Sequence, residues 1–333
     1  MRRYSPVMAS ESPLVTVAIL TYNGETYLDR ILEAVTTQTI DGDVEVLIID
    51  SGSTDATLEI VRRYPQVRLH EIPNSEFGHG KTRNLAASLA RGEFIAYLTH
   101  DAIPTSLEWL RELLAPFAID DRIVAVMGKQ IPRPGCFPLL KYEIKGVFNA
   151  FGPDFGTSVF YKGDFVQSEG VFNAIAFYSD VNSAARRRFL LDVVPYRDVR
   201  YAEDQLFGKD LLEAGYRKAY APRAAVQHSN DLTLDEYRRR IFDETVGLRQ
   251  IGKLIEPMSR GTQLKLTARG VAGDSLRILR DPEFGWKRRL FWLAANPLYQ
   301  IAKWRSYRAS TLVDLSDAEV IAAGSLEHHR KQG

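Results

Sequence analysis

From Leu14 to about Val126, short apolar runs alternate with stretches in which apolar residues return every three or four positions. The runs Val15 to Leu20, Val44 to Ile49, Val67 to Ile72, Phe94 to Leu98 and Ile123 to Met127 are rich in β-branched and aromatic residues. They are bounded by Asn, Asp, Gly and Pro, which predicts strands. Glu25 to Thr37, Asp55 to Tyr64, Gly80 to Ala90 and Leu107 to Phe117 carry the helical period. Thr54 with Asp55, and Thr105 or Ser106, stand where side-chain oxygens would cap two of these helices. Such alternation builds βαβ units, so the pattern predicts an α/β fold with an open, mostly parallel sheet flanked by helices.

From Gln130 to about Ser179 the period loosens into Pro, Gly and aromatic residues, as in IPRPGCFP and FNAFGPDFG, which predicts long functional loops. VNSAARRRFLLDV then reads as a strand running into a helix. AEDQLFGKDLLEAGYRKAYAP reads as an amphipathic helix ended by Gly215 before a short strand. Leu234 to Lys253, Thr262 to Leu279 and Trp286 to Tyr307 read as three further helices, with breaks at Pro257, Gly261, Pro282 and Pro297. The expected organisation is a flexible arm over residues 1–13, an α/β domain over 14–232 with halves 14–128 and 129–232, a C-terminal helical extension over 233–310, and a tail over 311–333.

Composition narrows the partners more than it narrows the fold. A formal net charge of +1 over 333 residues gives no global basic field, so no nucleic-acid partner is expected. The single cysteine, Cys136, excludes an internal disulfide and fits a reducing cytoplasm. The opening MRRYSPVMASESP lacks the apolar region of a secretory signal. No window reaches the roughly 20 apolar residues that span a bilayer. Trp286 to Tyr307 interleaves Trp, Phe, Leu and Tyr with Arg and Lys, the composition of a helix lying on an anionic interface. The alternative is a helix packed on the body or on a second subunit, giving a homodimer.

In open α/β sheets ligands collect at the carboxyl ends of the strands. Thr21-Tyr22-Asn23, Asp50-Ser51-Gly52-Ser53, Asn74 and Thr99-His100-Asp101 all fall there. Asp50 can accept a hydrogen bond from a base or a ribose hydroxyl, and Asp101 can coordinate a hard divalent cation, Mg²⁺ or Mn²⁺. Each also reads as a turn or cap residue. Glu203-Asp204 opens a helix whose dipole it complements. Asp204 beside a cleft can take a proton from an attacking hydroxyl, with Glu203 orienting it. His228 ends an apolar run and reads as a metal ligand or a structural histidine. His100 is a weaker candidate ligand. Lys81 and Arg83 open the helix of GHGKTRNLAASLA, where they suit phosphate oxygens, although its GxG lacks the spacing of a P-loop.

Four ordered segments, TYNGETYLDRILEAVTTQ, EVLIIDSGSTDAT, GKTRNLAASLARGEFIAYLTHDAIP and AEDQLFGKDLLEAGYRKAYAP, together resemble the family 2 inverting glycosyltransferases with a GT-A fold. The resemblance covers about Val15 to Asp231 and leaves out the C-terminal helices. It implies a nucleotide-binding half, an acceptor half, and a nucleotide-sugar donor. Asp50 would bind the base, Thr21 and Asn23 would border the nucleotide, and Arg83 would lie close to the diphosphate. Thr99-His100-Asp101 takes the place of the family's DxD metal motif, one carboxylate short because of Thr99, with His228 as a second ligand. Glu203-Asp204 matches the ED motif, whose aspartate deprotonates the acceptor. The THDAIP form of the metal motif, FGHGKTRNLA and SDVNSAARR are similar to bacterial rhamnosyltransferases that use dTDP-L-rhamnose. Tyr178, Asp180 and Asn182, with Phe172 and Phe177, would then line the sugar and acceptor region. Other UDP- or GDP-hexose donors are the alternative, and the acceptor would be a saccharide or lipid-linked saccharide of the cell surface. Two rivals remain: a nucleotidyltransferase or Rossmann-type oxidoreductase, of which a dinucleotide reader should carry GxGxxG where this chain has TYNGET, and a non-catalytic sugar-nucleotide or lectin-like binder, which would not need Asp204.

Overall fold

The computed structural model describes residues 12–163, 168–326 and 328–329. The expected N-terminal arm lies outside them over residues 1–11, as does the end of the tail. Two compact units are present, one formed by 1–130, 149–198 and 204–228, the other by 131–148, 199–203 and 229–333.

In the first unit the βαβ reading holds through β1 (Val15–Thr21), α1 (Leu28–Thr36), β2 (Val44–Asp50), α2 (Thr57–Arg62), β3 (Val67–Glu71), α3 (His79–Leu89) and β4 (Phe94–Thr99). β1 pairs parallel with β2 and with β4, and β2 with β3. Val15, Val17 and Ile19 of β1 are buried together with Ala18 between them. Burial on both faces explains why this strand reads as a continuous apolar run rather than an alternation.

Beyond β4 the topology changes. The chain continues through β5 (Ile103–Pro104), α4 (Trp109–Leu114), β6 (Ile123–Ile131), α5 (Pro138–Asn149), β7 (Ser158–Tyr161), α6 (Glu169–Ala176), β8 (Asn182–Arg186), α7 (Arg187–Asp192), α8 (Glu203–Glu213) and β9 (Arg217–Gln227). The sheet order is β3-β2-β1-β4-β8-β6-β9-β5, with β7 on β9. β8 runs antiparallel to both β4 and β6, and β9 antiparallel to β5 and β7. The parallel expectation therefore holds for β1 to β4, and the sheet as a whole is mixed. An apolar run records burial, not direction.

Four local expectations are corrected. The loop expected between Gln130 and Ser179 contains α5, β7 and α6. Its Pro138 is the first residue of α5, where proline's missing N–H costs nothing. α4 starts at Trp109 without a side-chain cap, and Thr105 Oγ1 instead donates to Ala225 O at 2.9 Å. At α2 the cap position is Ala56, while Asp55 Oδ1 does accept from Thr57 N at 3.0 Å. The strand after Gly215 is long, not short: β9 has 11 residues.

The second unit holds α9 (Leu234–Gln250), α10 (Arg260–Arg280), α11 (Trp286–Leu312) and α12 (Ala318–Gly324). Thr233 and Glu236 form a reciprocal capping box that starts α9. Pro297 does not break the chain but lies inside the continuous α11, and Gly261 sits in the first turn of α10. Phe137, Tyr237 and Ile241 form a core against which Trp292, Tyr299 and Tyr307 pack. Among the described residues, no helix is long and apolar enough to cross a membrane.

Candidate active site

In-register pairing of β1 with β2 brings Thr21 opposite Asp50 at the carboxyl edge. Thr21 Oγ1 donates to Asp50 Oδ2 at 2.8 Å. The same carboxylate accepts from Gly52 N at 3.0 Å, Ser53 N at 2.9 Å and Ser53 Oγ at 2.6 Å. Asp50 is fully buried. Its carboxylate therefore builds the turn, with Gly52 at φ +83°. The exposed neighbour is Asn23, whose N donates to Ser53 Oγ at 2.9 Å and whose Oδ1 accepts from Thr54 N at 2.8 Å. These bonds clasp the loops after β1 and β2 into one rim. His100 packs against Gly24 of that rim, so closely that a Cβ at Gly24 would stand 3.1 Å from it.

Asp101 and His228 come together as expected, with Oδ2 and Nε2 3.3 Å apart. Thr99 Oγ1 donates to Asp101 Oδ1 at 2.6 Å. The missing first carboxylate of the motif is thus a hydroxyl that orients the second. Gln130 Nε2 donates to Ser179 Oγ at 3.1 Å, leaving Gln130 Oε1 as acceptor for His228 Nδ1 at 3.0 Å. That partner places the proton on Nδ1 and turns the Nε2 lone pair toward the carboxylate. At this separation the two atoms can share either a second proton, carried on Nε2, or a cation. Burial raises the Asp101 pKa, but the charge and hydrogen bond of a protonated His228, the charge of His100 and the Thr99 hydroxyl outweigh it and hold the carboxyl far below the usual range. A divalent ion fits the same donor set of one carboxylate oxygen and one imidazole nitrogen. Among the described residues no three His, Cys, Asp or Glu side chains form a metal cage.

Asp204 opens α8, half-buried, with Oδ1 accepting from Gln205 N at 2.8 Å and Oδ2 from Asp180 N at 3.4 Å. The Asp180 amide holds one of its oxygens, and Glu203, expected to orient it, is buried. Ala202, directly before the pair, has φ +62°, and Asn23 has φ +49°. They are the two non-glycine residues in the left-handed region among those described. Asn23 stands at the rim formed by the loops after β1 and β2, and Ala202 directly precedes the Glu203-Asp204 pair; such strain characteristically collects at functional positions.

Several residues read from sequence as ligands turn inward. Arg83 Nε lies 3.1 Å from Asp180 Oδ2, both side chains buried, and Arg83 NH1 donates to His79 O at 3.0 Å. Asp180 also accepts from Tyr196 Oη at 2.8 Å and Ser183 Oγ at 2.7 Å. Arg83 is thus engaged beneath the edge, while Lys81 remains exposed at the start of α3. Tyr178 is fully buried, its hydroxyl 3.1 Å from both Val126 O and Ala184 O. Asn182 accepts from Trp109 Nε1 at 3.0 Å and donates to Ala224 O at 2.7 Å. Both hold the sheet together and do not line the sugar region. The residues that sequence reasoning missed are Gln130 and Ser179, which act through long-range contacts.

Lys218 was also missed. It is fully buried on β9, donates to Phe177 O at 2.5 Å, and lies 4.7 Å from the Phe160 ring centroid. Burial pushes its pKa down to about 7. Between about pH 7 and the unfolded value of about 10.4 the unfolded chain binds a proton that the folded chain does not, so this group makes stability rise with pH across that window. We expect the stability difference between Lys218→Met and the wild type to move in the wild type's favour as pH rises from about 7 to 10. Urea titrations at each pH read it, and parallel pH profiles would refute the assignment.

Residues 16–191 match the family described as Glycosyl transferase family 2. The chain belongs to that family and is a glycosyltransferase of GT-A fold. It is similar to the O-antigen chain rhamnosyltransferase RfbN of Salmonella typhimurium, 29% identical over 297 residues that cover 88% of each chain. It is 30% identical to the O-antigen chain rhamnosyltransferase WbaN of Salmonella anatum over 302 residues, 89% of each chain. The fold is shared with the mannosyltransferase PcManGT from Pyrobaculum calidifontis, solved in complex with GDP-Man and Mn²⁺. There the identity is 18%, the coverage 96% of this chain and 92% of that one, and the TM-score 0.59.

Proposed function

We propose that the enzyme transfers L-rhamnose from dTDP-L-rhamnose, with inversion, to a hydroxyl of a saccharide or lipid-linked saccharide in cell-surface polysaccharide synthesis, in the cytoplasm at the inner face of the plasma membrane. The observation that carries the chemistry is the Ser179-Asp180 segment. Its amide meets the Asp204 carboxylate, and its serine hydroxyl meets the Gln130 that orients His228. One short stretch thereby couples a base to a cation-holding pair.

Asp204 would take the proton of the acceptor hydroxyl as that oxygen attacks the anomeric carbon. The new C–O bond forms as the bond to the nucleoside diphosphate breaks, and a single displacement inverts the centre. Asp101 and His228 would hold a Mg²⁺ or Mn²⁺ ion, which when bound neutralises charge on the departing diphosphate. Lys81 would add a positive charge nearby. The Asn23-Ser53 rim would border the nucleotide, with Thr21 and Asp50 holding its shape. The choice of rhamnose is supported by the names of the two Salmonella relatives.

A thermal-shift screen of dTDP-L-rhamnose, UDP-hexoses and GDP-mannose, each with and without Mg²⁺ or Mn²⁺, tests this. The largest shift is expected from dTDP-L-rhamnose with metal. Asp101→Ala should remove the metal-dependent part of it, and EDTA should do the same to the wild type. A larger shift from a UDP- or GDP-sugar would replace the donor, and a shift indifferent to EDTA would exclude the cation role.

A further inference from the structure

Helix α11 carries large apolar side chains on its outer face as well as on the face that meets the core. Its buried positions are polar: Asn296 is fully buried and donates to Val271 O at 2.9 Å and Ser275 Oγ at 3.0 Å. Gln300, also buried, donates to Asp274 Oδ2 at 2.6 Å. Its exposed positions include large apolar side chains. Trp286 is 67% exposed, Leu290 60%, Phe291 61%, Leu298 55% and Ile301 39%. With Ala294 these recur every three or four residues and make one stripe along the helix. Leu276 and Leu279 of the neighbouring α10 are more than half exposed as well. Trp292, Tyr299 and Tyr307 already pack inward on the core, so this outer stripe is a second apolar face of the helix, placed to meet something apolar.

The charge around the stripe indicates what that is. Residues 260–312 hold 11 Lys and Arg against three Asp and Glu, a net of +8 in a chain whose formal net charge is +1. Lys265, Arg269, Arg280, Lys287 and Arg305 are all exposed on these two helices. A symmetric dimer through this face would press two such basic surfaces together. An anionic lipid surface instead accepts the apolar stripe between its acyl chains and the cations at its headgroups. The helix is not apolar enough to cross a bilayer. At 27 residues it is about 40 Å long, and it would lie along the surface.

We propose that α11, flanked by α10, docks the enzyme on an anionic membrane face through Trp286, Leu290, Phe291, Leu298 and Ile301. This deepens the membrane part of the proposed function and rests on that reading only for the acceptor's location. The test is flotation of the full chain with vesicles of phosphatidylcholine alone and of phosphatidylcholine with phosphatidylglycerol, together with the double variant Leu290→Glu, Phe291→Glu. The wild type is expected to float with the anionic vesicles and to be released by salt. The variant, whose changed residues are solvent-exposed, should keep its melting temperature and lose binding by about tenfold or more. Equal flotation of variant and wild type, or recovery of the wild type in the unbound fraction, would overturn the proposal. So would a dimer in light scattering that the same substitutions dissociate. No donor or acceptor enters the flotation, so its result stands apart from that of the donor screen.

Discussion

Asp204→Asn is expected to lower turnover by about 10²–10⁴-fold, the range that a positioned general base supplies, while donor affinity stays close to that of the wild type. The amide keeps an oxygen for Gln205 N, which the carboxylate accepts at 2.8 Å, so the start of α8 should persist. It cannot take up the acceptor's proton. Single-turnover transfer and donor titration, measured on the same preparation, separate the two effects. Wild-type turnover would remove Asp204 from the chemistry and assign the base role to another group. A loss of donor affinity equal to the loss of rate would assign Asp204 to donor binding instead.

Arg83→Met is expected to cost about 3–5 kcal/mol of stability, because it leaves the Asp180 carboxylate buried without its cation. The sequence resemblance put Arg83 near the diphosphate, whereas its guanidinium stands 3.1 Å from Asp180 with both side chains buried. The two roles differ in what they predict. A phosphate ligand, once removed, weakens donor binding and leaves the unfolding midpoint nearly unchanged. A buried partner lowers the midpoint first. Urea unfolding without donor, followed by donor titration of the folded fraction, distinguishes them. Arg83→Lys keeps a charge but not the planar fork, so it should fall between the two.

The contrast between these residues shows what a sequence carries. Strand ends were legible because an apolar run followed by Asn, Asp or Thr marks where buried backbone emerges, and Thr21, Asp50, Asp101 and His228 all stand there. Orientation was less legible. Tyr178 and Asn182 lie close to Asp180 along the chain, yet their side chains bond into the sheet. Which way a residue points near a strand's start depends on register with β4 and β6, and no local pattern records that. The Gln130 to Ser179 contact spans 49 positions, beyond any periodicity. The helices within the Pro- and Gly-rich stretch were hidden for another reason. Pro138 looks like a breaker in composition, but at a helix start it is compatible with the fold. The outward stripe of α11 was visible as interleaved aromatic and basic residues, while its buried Asn296 and Gln300 emerged only from packing.

Ser179 and Asp180 also bear on how the enzyme can diversify. The peptide lies just after α6, on the half of the domain expected to meet the acceptor; its Asp180 amide meets the Asp204 carboxylate, and its Ser179 hydroxyl meets Gln130, which in turn bonds His228. With Asp204 as the proposed base and His228 as a proposed cation ligand, a change of acceptor that displaced this peptide would disturb proton removal and cation binding in the same stroke. Lineages that acquire new acceptors should therefore vary the outer turns of this half and hold the two-residue hub fixed, as a keystone limits where an arch can be rebuilt.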